Sequence, residues 1–200
     1  MFGIWLVAKS RKWSPLLAIV LLASCSPPPN DATVFRGYLD AVNRHAVAEA
    51  LAFHTSDAEF IPPGQAPIRG TAGLRWLLQW DSVLQSHVLF DQAVQIGDTL
   101  ILGPGSERNR FFEGIGLDSV AYAGGTRVVL EGSLIQGIYP ARFLPESAAE
   151  FEFRYGEFMT WAGAEAPDEL ARLLPEGLFQ YDPESAEAWM NLLARYQARK

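Results

Sequence analysis

Apolar residues in the first part of the chain after residue 30 recur mainly at helical spacing. The run 31–53 predicts two helices, because a polar Asn-Arg-His sequence at 43–45 interrupts it and indicates a tight bend. A short strand is predicted at 57–61, ended by a Pro-Pro-Gly sequence. A further helix is predicted over 70–84, with leucines at helical spacing as its core face.

The pattern becomes strand-like in the middle of the chain. A strand is predicted over 87–96, with 99–102 pairing back across a Gly-Asp turn. Residues 126–130 and 134–139 flank a Glu-Gly-Ser sequence, which predicts a hairpin. Residues 107–117 fit either a strand or a strand that runs into a short helix ending at a glycine.

Helical patterns return after residue 140. Three Pro-initiated helices are predicted, one over 145–164 and two that begin at Pro167 and Pro183. Helices thus precede and follow a group of strands that runs from residue 87 to 139. This grouping predicts an α+β fold rather than an alternating parallel α/β fold.

The N-terminal segment resembles a bacterial lipoprotein signal peptide. Basic residues at 9, 11 and 12 precede an apolar run at 16–22, and Ala-Ser-Cys follows at 23–25 with the single cysteine of the chain. The resemblance implies removal of residues 1–24 and attachment of a diacylglycerol to the sulfur of Cys25, so the protein is expected to be labelled by palmitate. An uncleaved anchor helix with a chance cysteine is the alternative. The Pro-rich stretch 25–30 would be a stiff spacer.

The composition and the net charge of the chain limit which classes of binding partner are expected. Removal of the signal segment, which carries three basic and no acidic residues, would leave 176 residues with a net charge of −10 in place of −7. An acidic surface of this kind does not suit nucleic acid, and membrane attachment is expected through the lipid alone. We therefore expect a protein of the bacterial cell envelope on the periplasmic side. Ser26 after the cysteine favours the outer membrane.

Four short motifs follow one another in the first helices and strand: YLDAVN at 38–43, AEAL at 48–51, HTSDAEF at 54–60 and GTAGL at 70–74. With the sheet after them, they resemble the SnoaL-like branch of the nuclear transport factor 2-like superfamily, over roughly residues 33–140. The resemblance implies a cone: a curved antiparallel sheet wrapped on the N-terminal helices, open at one end to a pocket. Residues 31–200 would form a single domain, with 145–197 as an added helical segment.

The resemblance leaves the function open, because members include isomerases, cyclases, dehydratases, transport factors and binding modules. Our leading hypothesis is a lipid-anchored protein that binds a small apolar ligand or a protein partner without catalysis. The alternative is an isomerase- or cyclase-type enzyme with a pocket carboxylate or histidine as general base. A subunit that forms a homodimer through its sheet is a third hypothesis.

Two polar groups are candidate catalytic residues. Glu107 and Asn109 would share one face of a strand, where a carboxylate and an amide inside an apolar cone can orient a substrate or move a proton. A solvated strand end is the alternative for this pair. His54 with Asp57 is the second candidate pair, although His54 also fits a helix-end residue.

Four larger side chains are candidate pocket-lining residues. Trp76 and Trp80 are one helical turn apart, and Arg127 and Tyr139 lie on the two strands of the predicted hairpin. Ordinary helix-on-sheet packing, or exposure at a sheet end, is the alternative for each. The three histidines lack the spacing of metal ligands, so neither a metal site nor a cofactor is predicted.

Overall fold

A computed structural model of the chain describes residues 31–199. The signal segment, Cys25 and the Pro-rich spacer lie outside the described residues, so the lipid attachment stays a prediction. Within residues 31–199, none of the helices combines the length and the apolar composition needed to cross a membrane.

The described helices agree closely with the sequence prediction. They are α1 (Asp31–Asn43), α2 (Val47–Leu51), α3 (Gly70–Leu84), α4 (Arg110–Ile115), α5 (Pro145–Glu165), α6 (Pro167–Leu173) and α7 (Pro183–Ala198), with a 3-10 turn at Pro175–Gly177. The predicted bend between α1 and α2 contains His45 at a φ of 57°, in the left-handed region.

Nine strands form two sheets. They are β1 (His54–Phe60), β2 (Ile68–Arg69), β3 (His87–Phe90), β4 (Ala93–Ile96), β5 (Thr99–Leu102), β6 (Gly105–Arg108), β7 (Val120–Tyr122), β8 (Thr126–Glu131) and β9 (Leu134–Tyr139). The larger sheet has the order β2-β1-β9-β8-β5-β4, and the smaller has the order β3-β6-β7. The predicted α+β class is confirmed. The sheet is mixed rather than antiparallel, because β1 pairs parallel with β9.

The prediction of one strand over 87–96 is wrong in one respect. The chain leaves the smaller sheet after Phe90 and enters the larger sheet at Ala93, and it returns through Gly103 and Pro104. Gly105 permits the return, because a Cβ atom there would lie 2.5 Å from Cδ1 of Phe90 on the paired strand. The sheet switch places β3 and β6 beside each other, opposite the N-terminal helices.

Two buried apolar clusters share α3 as a common wall. The first contains α1, α2 and the inner face of the larger sheet, and it takes Leu78 from α3. The second contains α4 and the C-terminal helices, and it takes Trp80 and Leu84 from α3. The fully buried Trp189 of α7 centres the second cluster, with its ring 5.7 Å from that of Phe111. The C-terminal helices therefore extend the domain on the side of α3 that faces away from α1.

Candidate functional site

A cavity of about 130 Å³ lies between α1, α3 and the two sheets. Its walls are mostly apolar and aromatic, and two acidic side chains stand among them. The lining residues are Phe35, Tyr38, Leu39, Val42, Phe60, Leu77, Asp81, Val88, Phe90, Leu102, Glu107, Tyr122, Thr126, Ile138 and Pro140. The prediction of an apolar pocket inside the cone thus corresponds to a real cavity.

Glu107 lies on β6, the central strand of the smaller sheet, and lines this cavity. Both of its carboxylate oxygens accept a hydrogen bond from the protein. The amide nitrogen of Asn109 donates to Oε1 at 2.8 Å, and the hydroxyl of Tyr122 donates to Oε2 at 2.5 Å. These donors hold the carboxylate in one orientation and stabilise its charged form.

Asn109 supports Glu107 from behind and does not line the cavity. It is 5% exposed and is the N-cap of α4, where its Oδ1 accepts a hydrogen bond from the backbone N–H of Phe112 at 2.9 Å. Both ends of the amide are thus engaged within the protein. The sequence prediction placed Glu107 and Asn109 together, and the structure does bring them together, but with Asn109 as a positioning residue.

Asp81 is the second acidic group, and the sequence analysis did not select it. It lies on α3 one turn after Leu77, and its Oδ1 accepts a hydrogen bond of 3.4 Å from the hydroxyl of Ser86. Burial raises the pKa of Asp81 to about 8, and the nearby charge of Glu107 contributes to the shift. A sequence signal existed, because Asp81 continues the helical spacing of the buried leucines 74, 77, 78 and 84.

The two carboxyl groups share one environment but differ in their partners. Burial also raises the pKa of Glu107, while the hydrogen bonds from Tyr122, Asn109 and Ser86 act in the opposite direction. Asp81 has a single long hydrogen bond to offset its burial. We therefore place the negative charge on Glu107 and the proton on Asp81 near neutral pH.

The cavity wall is rich in aromatic rings and contains no basic side chain among the described residues. Five rings contribute to the wall, those of Phe35, Tyr38, Phe60, Phe90 and Tyr122. None of the ion pairs within residues 31–199 involves Asp81 or Glu107. The charge on Glu107 is therefore stabilised by neutral donors alone.

A tyrosine from the C-terminal segment approaches the carboxyl pair from outside the cavity. Tyr181 precedes α7, and its ring meets that of Trp80 edge-on at 5.5 Å. Burial raises the pKa of Tyr181, and the charges of Asp81 and Glu107 raise it further. The added helices thus take part in the environment of the acidic pair.

The second predicted catalytic pair does not reach the cavity. Nδ1 of His54 lies 3.2 Å from the backbone oxygen of Ala50, and its ring packs edge-on against Tyr38 at 4.9 Å. Burial lowers the pKa of His54, so the ring is neutral. Asp57 is exposed. The structure therefore agrees with the interpretation of His54 as a helix-end residue.

The four predicted pocket-lining residues lie outside the cavity. Trp76 is 55% exposed. Trp80 packs in the C-terminal cluster, on the face of α3 that points away from the cavity. Arg127 and Tyr139 are cross-strand neighbours, with the guanidinium 4.8 Å from the ring centre. The Tyr139 hydroxyl donates to Glu59 at 2.8 Å. Arg127 alternates with the buried Thr126 and Val128, so this pair belongs to the sheet face away from the cavity.

Within residues 31–199, no group of three or more His, Cys, Asp or Glu side chains is placed to hold a metal ion. Asp81 and Glu107 form a pair, and the other side chains around them are hydroxyl or amide groups. What the arrangement offers is one fixed anion and one protonated carboxyl group in an apolar enclosure.

No protein-family model and no curated protein matches the sequence. Solved structures do match. An NTF2-like protein of unknown function from Cytophaga hutchinsonii is 12% identical, with 60% of this chain and 94% of that chain covered at a TM-score of 0.47. An NTF2-like protein from Burkholderia xenovorans is 19% identical, with 60% and 93% covered at 0.47.

The structure of SalBIII, described as an epoxide hydrolase/cyclase-like enzyme in pyran ring formation in the polyether salinomycin, is 13% identical. The alignment covers 58% of this chain and 92% of the SalBIII chain, at a TM-score of 0.49. The predicted resemblance to the nuclear transport factor 2-like superfamily is thus accompanied by structural neighbours that carry that description. These are proteins to which the chain is similar, and its function has to be argued from its own residues.

Proposed function

We propose that this protein binds a small, mostly apolar ligand in the cavity between α1, α3 and the two sheets. The observation that supports this most directly is the pairing of an apolar, aromatic wall with two acidic groups, of which Glu107 is held in one orientation by two hydrogen bonds. A few fixed polar groups in an apolar enclosure are typical of small-molecule sites.

The volume of the cavity sets the size of the ligand. A dry cavity of roughly 150 Å³ accommodates one benzene ring. The cavity here, at about 130 Å³, suits a compact ligand of similar size. A ligand with several fused rings would require the walls to move.

Binding accounts for the state of Glu107 better than proton transfer does. A general base is effective when its pKa lies near the working pH and its oxygen reaches the substrate proton. Both oxygens of Glu107 already accept a hydrogen bond, and these bonds oppose the rise in pKa that burial causes, so the carboxylate is less basic than burial alone would make it. Glu107 is therefore suited to be a fixed negative charge beside the ligand.

The binding proposal is tested with neutral probes of one-ring size. The full chain is solubilised in detergent, and thermal unfolding is followed with cyclohexanol and phenol. A probe at 100 times its dissociation constant should stabilise the fold by about 2.7 kcal/mol. The variant Val88→Phe fills the cavity from β3 and should abolish this shift. Leu89→Phe is the matched control, because the neighbouring side chain is 53% exposed and outside the lining. No shift with any probe in the unmodified protein would contradict the proposal.

We also propose attachment to the periplasmic side of the cell envelope through a lipid on Cys25, with sorting to the outer membrane. The sequence Ala-Ser-Cys after an apolar run and the acidic character of the remainder support this. Labelling with radioactive palmitate, followed by membrane fractionation, tests it. The protein should be labelled and sediment with membranes, and Cys25→Ala should be neither labelled nor processed. An unlabelled unmodified protein would contradict the proposal.

An acid–base enzyme is the second candidate, favoured by the opposite states of the two carboxyl groups. Asp81, with a pKa of about 8, would donate a proton to a substrate oxygen while Glu107 removed one from carbon. This reaction type predicts exchange of solvent deuterium into the α-carbons of a one-ring ketone such as cyclohexanone. NMR would detect the exchange, and Glu107→Gln should abolish it. Saturable binding without exchange leaves the binding function as the conclusion.

A further inference from the structure

Glu107 carries a negative charge in an apolar wall without a cationic partner among the described residues. The ion pairs of residues 31–199 all lie elsewhere, and the groups that hydrogen-bond Glu107 are the neutral Tyr122, Asn109 and Ser86. A charge removed from water is costly unless it is paired. The cavity beside Glu107 is where a cationic ligand would supply a positive charge.

The aromatic wall suits a particular kind of cation. Rings of Phe35, Tyr38, Phe60, Phe90 and Tyr122 surround the same space that Glu107 and Asp81 enter. Aromatic faces attract cations, and they do so most effectively for cations with a weak hydration shell, such as alkylated ammonium groups. Thr126 adds a hydroxyl group to the lining, and the oxygen of this hydroxyl already accepts a hydrogen bond from the backbone N–H of Ala141 at 2.9 Å.

We infer that the ligand of this cavity is a small organic ammonium cation with apolar substituents, of the size of a trimethylammonium group and a short chain. The inference rests on the proposed binding function and names the chemical class of its ligand. The ammonium centre would lie beside the Glu107 carboxylate, and its alkyl groups would contact the aromatic and aliphatic wall. An anionic ligand is disfavoured by the same carboxylate.

Asp81 couples such binding to a proton. The groups that face it are Glu107 from β6, Tyr38 from α1, Tyr122 from β7, the hydroxyl of Ser86, Tyr181 before α7, and His45 from the bend after α1, which lines a small space together with Asp81. Burial lowers the pKa of His45, so none of these groups carries a positive charge near neutral pH, and Asp81 keeps its proton when no cation is bound. A bound cation favours the ionised form, so its entry should release a proton. Binding should therefore strengthen as the pH rises towards the pKa of Asp81, about 8.

The test compares two probes that have the same shape and differ in charge. Choline is the cationic probe, and 3,3-dimethylbutan-1-ol, in which carbon replaces the nitrogen, is the neutral one. Isothermal titration of the full chain in detergent at pH 8 should show choline binding at least about ten-fold more tightly. Glu107→Gln should remove this preference. Glu59→Gln is the control, because Glu59 is a glutamate that also accepts a hydrogen bond from a tyrosine, Tyr139, and that lies outside the cavity, where it pairs with Arg69.

The possible results separate this inference from the binding function. Equal or tighter binding of the neutral probe would overturn the cationic class while leaving the cavity as a binding site. If choline, its neutral analogue, cyclohexanol and phenol all fail to bind, the binding function fails as well. The comparison of the two probes on the unmodified protein stands even if Glu107→Gln does not fold. Retention of the preference in a folded Glu107→Gln variant would also overturn the inference.

Discussion

The hydroxyl of Tyr122 and the carboxylate of Glu107 face each other across two neighbouring strands, with 2.5 Å between the oxygen atoms. The antiparallel register of β6 and β7 pairs Glu107 with Val120, so Tyr122 is its diagonal neighbour on the same face. The pairing of the smaller sheet thus sets the orientation of the carboxylate before any ligand arrives. Glu107 and Tyr122 both lie on strands that are paired by backbone hydrogen bonds, and neither lies in a loop.

Replacement of Tyr122 by phenylalanine should weaken cation binding and leave the fold intact. The change removes the hydroxyl that stabilises the Glu107 carboxylate, so the pKa of Glu107 should rise further and the cavity should lose part of its charge. We expect choline affinity at pH 7 to fall by about ten-fold, with recovery at higher pH.

Tyr155→Phe is the control for this variant. Tyr155 is a half-buried tyrosine in the C-terminal cluster, away from the cavity lining, and it should lose no affinity. An affinity of Tyr122→Phe equal to that of the unmodified protein at every pH would show that the hydroxyl does not control the charge of Glu107.

Asn109 should contribute separately to the stability of the fold and to the choline affinity of the cavity. Asn109→Ala removes the N-cap of α4 and should lower the free energy of unfolding by about 1–2 kcal/mol. Asn109→Asp keeps an oxygen for the cap but places a carboxylate against Glu107 in place of the donating amide. Choline affinity should change in both variants. Chemical denaturation and titration measure the two effects.

Asp182→Ala provides a capping control for the Asn109 variants. Asp182 caps α7 by accepting a hydrogen bond from the backbone N–H of Ser185 at 2.8 Å, and it does not line the cavity. It should lose a similar amount of stability and keep its choline affinity. A loss of affinity here equal to that of Asn109→Ala would mean that Asn109 acts only through stability.

Local patterns were sufficient to predict most of the elements, because the longer helices carry regular apolar stripes and α5, α6 and α7 each begin at a proline. The same regularity obscured Asp81. The sequence pattern instead favoured Trp76 and Trp80 on the same helix, and the helix turns both tryptophans away from the cavity. A polar residue in a buried apolar stripe is a functional candidate when other polar groups face it across a cavity, as Glu107 faces Asp81. The spacing of residues along one helix does not contain that information.

The break between β3 and β4 was not predictable for a related reason. Residues 87–96 keep a strand-like composition throughout, but the backbone changes partners after Phe90 because Gly105 and Pro104 redirect the opposite strand. Long-range pairing of this kind leaves no mark within the strand itself. The pair Glu107 and Asn109 was found because adjacency in sequence was enough to bring them together.

The contact between α4 and α7 should make one glycine sensitive to a single methyl group. A Cβ atom at Gly114 would lie 2.9 Å from Cδ1 and 3.2 Å from Cβ of Leu193, so Gly114→Ala requires the Leu193 side chain to move and the contact between α4 and α7 to loosen slightly. Overpacking of this kind costs about 1–3 kcal/mol. Gly163→Ala in α5, where a Cβ meets nothing within 4 Å, is the matched control and should stabilise its helix by about 0.5–1 kcal/mol. Equal effects of the two substitutions on urea denaturation would contradict the packing described here.

Asp81 should make the stability of the empty protein depend on pH, in a direction that its burial fixes. Its pKa is about 8 in the folded protein against 3.8 when unperturbed. Between these values the unfolded chain is ionised while the folded chain keeps the proton, so folding takes up a proton. The contribution of this group to stability is therefore complete below the lower value and is lost as the pH rises towards 8, by at most about 1.4 kcal/mol per pH unit.

Asp81→Asn removes this titration while keeping the size of the side chain. The free energy of unfolding of the unmodified protein should fall relative to that of Asp81→Asn between pH 5 and pH 8, and the difference should become constant above pH 9. Urea denaturation across this range measures it. Asp57→Asn is the control for the loss of an aspartate, because Asp57 is exposed and lies outside the cavity. If the unmodified protein and Asp81→Asn keep the same stability difference from pH 5 to pH 9, Asp81 does not hold a proton in the folded protein, and the proton release expected on cation binding would be absent as well.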